Sequence, residues 1–149
     1  MRETCYTMDN MIEQTTRYGM STAVSIGYAD AVDRTKAALA TEGFGILSEI
    51  DIAATLKKKL NVDFRPYVIL GACNPPLAHQ ALLVERDIGL LLPCNVIVYA
   101  TDKSGQSVVA AMDPVEALQL TGNDDIRTIA EDVRTRLRRV LEAVEKGAA

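Results

Sequence analysis

Two Cys-Asn pairs, Cys73-Asn74 and Cys94-Asn95, are the residues of this chain whose types and spacing could do chemistry. Between them lies His79, the single histidine. Thiols at matching ends of neighbouring strands could form a redox pair or hold a soft metal, with His79 as a third ligand. The competing reading is that both are small buried hydrophobes, the ordinary role of a free cysteine. Asn74 precedes Pro75 and suits a helix N-cap, so Cys73 stands at the start of a helix, where the dipole favours a thiolate. Cys73 is therefore expected to react first with a thiol reagent, and Cys5 to react independently from a flexible tail.

Glu49 is the other candidate. On a strand beside Leu47 it could act as a general base if buried, with His79 as its partner in a weak enzyme reading. Asp51 has a sufficient role as a helix cap, and Arg65 could pair with either carboxylate. The candidate set is thus Glu49, Arg65, Cys73, Asn74, His79, Cys94 and Asn95. No nucleotide-binding glycine loop, metalloprotease H-E-x-x-H or nucleophile-elbow G-x-S-x-G accompanies them, so no catalytic motif and no cofactor is assigned. One histidine excludes a multi-histidine metal centre, and no metal is assigned beyond the Cys73 and Cys94 alternative.

The elements that position these groups follow from hydrophobic period and turn chemistry. Strands are expected over 22–28, 44–51, 66–73, 93–101 and 106–112. A helix capped by Asp30 runs to 42 and stops at Gly43, and Asp51 caps a short helix carrying Lys57, Lys58 and Lys59. A third helix, 75–84, buries Leu77, Ala78, Ala81 and Leu82. Glu85 to Gly89 reads as a connector, and Asp113-Pro114 opens a short helix closed by Gly122. The last helix, 123–146, carries its apolar stripe at Ile126, Ala130, Val133, Leu137, Val140 and Val144, widened by Ile129 and Leu141. Arg134, Arg136, Arg138 and Arg139 read as its solvated face.

The architecture implied is α+β: a mostly antiparallel sheet of about five strands with helices on one face and a long C-terminal helix. The run 93–101 is apolar on both sides, which asks for cover on both faces and points to a dimer. Residues 1–20 are polar and weakly patterned, a flexible extension before a single domain over 21–149.

At 149 residues, with 48% hydrophobic content, the chain can bury one core. A net charge of −4 argues against the phosphate backbone of nucleic acid as a partner. Its apolar runs are too short for a membrane span or a signal peptide, so a cytoplasmic place is expected. Three cysteines without C-x-x-C spacing argue against a disulfide framework or structural zinc.

The phrases EID followed by ATLKKKL, then RPY-x-ILGACNPPLA, then IGLLLPCNV carry a resemblance. Over about 22–144 the chain resembles the bacterial family called domain of unknown function 302. The resemblance implies a TATA-binding-protein-like sheet-and-helix fold and a homodimer, and it brings no reaction. The expected function is a small homodimeric cytoplasmic module that binds a small-molecule ligand or a partner. Thiol redox or soft-metal binding at Cys73 and Cys94 is the alternative.

Overall fold

The computed structural model describes residues 12–147. The strands are β1 (Glu13–Thr16), β2 (Gly19–Val24), β3 (Gly45–Asp51), β4 (Tyr67–Cys73), β5 (Cys94–Ala100) and β6 (Ser107–Met112). The helices are α1 (Tyr28–Thr41), α2 (Ile52–Leu60), α3 (Pro75–Val84), α4 (Pro114–Leu118) and α5 (Asp124–Lys146). All six strands pair antiparallel in one sheet, ordered β1-β2-β6-β5-β4-β3. The architecture is the α+β one expected, with one strand more.

That extra strand lies in residues 13–16, within the stretch expected to be an extension. Glu13–Thr16 and Gly19–Val24 form a hairpin, and Asp113 donates its backbone N–H to the Tyr18 carbonyl at 2.7 Å. An edge strand of four residues buries too little to show an apolar alternation, which is why its pattern is weak. Met20 is nonetheless fully buried, and Ile12 packs against the core. Residues 1–11, Cys5 among them, lie outside the described residues.

Register assigns each strand residue to a face. Val68, Leu70 and Ala72 of β4, Val96 and Val98 of β5, and Val109 and Ala111 of β6 share the face that α1 and α5 cover. Tyr67, Ile69 and Gly71 alternate with them onto the other face. There Ile50, Ile69, Ile97 and Ala110 form a cross-strand row, and Tyr67 stacks on Tyr99 with ring centroids 5.4 Å apart. This second face is only partly covered. Ile50 is 45% exposed, and Phe64, 6.1 Å from the Tyr67 ring, is 48% exposed. The apolar run in β5 is therefore not buried on both sides within one chain.

Other expectations shift by small amounts with clear causes. The first strand ends at Val24 rather than 28, and α1 begins at Tyr28, with Gly27 at its cap and Asp30 in its first turn. A bulge between Ile46 and Ser48 breaks the alternation of β3, so Ile46 joins the core while Ser48 turns to the open face. The connector after Val84 is a 3-10 helix, Arg86–Leu91, which seats Ile88 in a second cluster with Leu118 and Ile126.

The apolar stripe of α5 is buried as its spacing requires, from Ile126 through Leu137 to Val144. Its basic face, however, is not simply solvated. Arg139 grips the Glu42 carboxylate through Nε (3.0 Å) and Nη2 (2.9 Å), and Arg136 meets Asp132 at 2.9 Å. Arg134 reaches Asp113, a fully buried carboxylate, at 3.2 Å.

Candidate functional site

β4 and β5 end side by side beneath α3, and the space they leave is a cavity of about 320 Å³. Proline and asparagine shape it locally. Asn74 Oδ1 accepts from the Leu77 N–H (3.3 Å), capping α3, while its Nδ2 donates to the Glu42 carbonyl (3.4 Å). Those two bonds tie the start of α3 to the end of α1. On the far side of β4, Gly71 permits close packing: a Cβ there would strike the Ser48 hydroxyl and come within 2.9 Å of the Pro93 ring. A side chain at 71 would force Ser48 and Pro93 to shift where β3, β4 and the entry to β5 come together.

The cavity wall comes from distant parts of the chain. Phe44 precedes β3, Leu77 and Ala81 come from α3, Leu118 ends α4, and Val133 belongs to α5. Leu47 and Leu82 are exposed (69% and 45%) and stand at the mouth. Cys73, Asn74 and Cys94 also border it. The lining is apolar almost throughout. It suits a hydrophobic guest, and its described residues include no nucleophile–base pair.

Three of the seven residues chosen from sequence thus meet at one place. The other four do not. Asn95 is exposed opposite Gly71 on the open face. His79 is exposed on α3 and is not part of the wall. Glu49 is engaged by Lys36 of α1 at 2.8 Å and lies in the open, which removes the burial a general base would need. Arg65 pairs with Asp102 (2.9 Å) and the Ala100 carbonyl (3.2 Å), not with Glu49 or Asp51. Asp51 does cap α2, accepting from the Ala54 N–H at 2.9 Å. The wall residues missed by sequence reading include Phe44, Leu118 and Val133, which look like ordinary core positions in their own segments.

Both described thiols are free. The strands pair antiparallel, so the thiols sit at one end of the sheet, as expected. Register offsets them by one residue: Cys94 lies opposite Ala72, so the two side chains leave their strands in opposite directions although both residues border the cavity. That orientation does not suit a disulfide. Among the described residues, no three His, Cys, Asp or Glu side chains come together to hold a metal.

Burial, and secondarily the neighbouring Cys73 thiol, push the Cys94 pKa up to about 11. The thiol is therefore protonated at neutral pH and behaves as a hydrophobe. This raised value has a stability consequence. The folded chain holds the Cys94 proton where an unfolded thiol, titrating near 8.5–9, has released it. Its contribution is fully present below pH 8.5 and is lost as pH rises toward 11. Denaturant titrations should show an extra loss on the order of 2 kcal/mol across that range, absent in Cys94→Ala. Equal alkaline slopes in both proteins would refute the burial argument.

The match to known proteins falls on these same segments. The model of the family described as Domain of unknown function DUF302 matches residues 20–144. The chain belongs to the DUF302 family. Among solved structures, it is similar to an uncharacterized conserved DUF302 protein from Bacillus stearothermophilus. The two share 29% identity at a TM-score of 0.77, over 84% of this chain and 96% of that one. No curated protein matches. The DUF302 region holds every wall residue of the cavity and all of α5 up to Val144. No helix among the described residues is long and apolar enough to cross a membrane.

Proposed function

We propose that this chain is a binding module whose small-molecule ligand occupies the cavity beneath α3, and that it works as a homodimer. The observation that carries the ligand reading is the cavity itself. At about 320 Å³ it is far larger than a packing defect, and it lies at the small end of the roughly 300–1,000 Å³ range of ligand pockets. It also opens to solvent beside Leu47 and Leu82, giving a guest a way in.

A fluorescent apolar probe such as N-phenyl-1-naphthylamine should bind one site per chain. Ala78→Phe, which places a ring in the cavity from a half-buried wall position, should weaken it at least about tenfold, or ~1.4 kcal/mol, with the fold retained by circular dichroism. Undiminished binding in Ala78→Phe, or none in the parent chain, counts against the reading.

The dimer reading draws on the half-covered face of the sheet. Ile50 and Phe64 stand exposed there beside the stacked Tyr67 and Tyr99. A second copy covering this face would remove that apolar surface from water. Light scattering at micromolar concentration should give twice the 16.2 kDa chain mass, and Phe64→Glu should lower it to one chain. A single-chain mass for the parent protein would sink the dimer.

The thiol alternative has less support. Opposed faces and a buried, protonated Cys94 are poor conditions for exchange or soft-metal binding.

A further inference from the structure

We infer that the cavity beneath α3 takes an uncharged ligand with few hydrogen-bonding groups and rejects carboxylates and phosphates. This rests on the reading of the cavity as a ligand site and names the class of molecule it admits.

The start of a helix beside a cavity ordinarily favours an anion, because its first amides are unpaired and the dipole is positive there. Here those donors are missing or occupied. Pro75 and Pro76 have no N–H. The next two amides are both engaged by Asn74: Leu77 donates to Oδ1 at 3.3 Å and Ala78 to the backbone carbonyl at 2.9 Å. The Asn74 amide group is itself held by the Glu42 carbonyl.

The wall adds no charge. Among the described residues bordering the cavity none is acidic, basic or histidine, and besides the two thiols Asn74 is their one polar side chain. Arg136 donates to the same Glu42 carbonyl as Asn74, at 3.5 Å. It is already paired with Asp132 at 2.9 Å. An anion entering this space would give up part of its hydration and find no counter-charge among the described wall residues, with only the thiols and the remaining Asn74 N–H as donors from side chains. A neutral apolar guest loses nothing of the kind.

The test compares two guests with one skeleton, 1-octanol and octanoate, titrated into the full chain and followed through the backbone amide resonances of Cys73, Ala78 and Ala81. Octanol should shift these amides saturably at pH 7. Octanoate should bind on the order of a hundredfold more weakly, the consequence of burying an unpaired carboxylate. Lowering the pH from 7 to 5 should strengthen octanoate binding as more of it becomes the neutral acid, a carboxyl titrating at about 4–5, while octanol stays constant. Octanoate binding as tightly as octanol at pH 7 would overturn this inference and leave the ligand site standing. If neither guest moves these amides, the cavity reading fails and this inference falls with it.

Discussion

Leu137→Ala should lower the stability of the protein by about 2–5 kcal/mol, the usual cost of emptying a fully buried leucine site. Leu137 is completely inaccessible at the centre of α5, the helix that packs against α1, α3, β2 and β6 at once. Little can relax into the space left, because the surrounding elements are held by strand pairing and by each other. A loss of this size is a large part of the roughly 5–15 kcal/mol that a domain possesses. The melting midpoint should fall by roughly 4–20 °C. Protein concentration must be matched, since a dimer would make the midpoint depend on it. A cost below about 1 kcal/mol, or a chain truncated before Asn123 that still unfolds cooperatively, would refute the central place given to α5.

Arg134→Met should cost about 3 kcal/mol, because it strips the counter-charge from a buried carboxylate. Asp113 has no accessible surface. Its Oδ1 accepts from the Val115 and Glu116 amides at 3.0 and 3.4 Å and caps α4. Among the described residues its Oδ2 meets the charge of Arg134, 3.2 Å away and not aligned as a hydrogen bond. The Arg134 side chain keeps 38% of its surface in water, which places the expected cost at the low end for a broken buried pair. Asp113→Asn combined with Arg134→Met should recover most of the loss, since no charge then remains to be stranded. The control is Arg138→Met on the same helix, whose arginine is exposed. Equal costs for Arg134→Met and Arg138→Met would show that the ion pair contributes nothing measurable.

These two sites mark the range of what sequence conveys. The α5 stripe is readable because a helix repeats its apolar face within a single segment, and seven of its residues are buried where the spacing puts them. Asn74 as the cap of α3, Asp51 as the cap of α2 and Asp113 as the cap of α4 are readable for the same reason: the bond closes within three residues. The partner of Asp113 is not readable in this way. Arg134 belongs to an arginine-rich run that looks solvated, and only packing α5 beside α4 brings it to the carboxylate.

Sequence by itself determined the α+β class, the identity of α3, β4, β5 and α5, and the neighbourhood of Cys73, Asn74 and Cys94. Each depends on local period, cap chemistry or proline placement, which neighbouring residues settle among themselves. Tertiary structure alone decided that β1 exists, that Arg65 answers Asp102, and that Glu49 and His79 do not border the cavity. It also decided the faces of the two thiols, since pairing Cys94 with Ala72 rather than with Cys73 is a one-residue matter of register that inverts a side chain's direction. The cavity belongs wholly to that level. Phe44, Leu77, Leu118 and Val133 enclose it from segments far apart in the chain, and an empty space has no residue of its own to announce it.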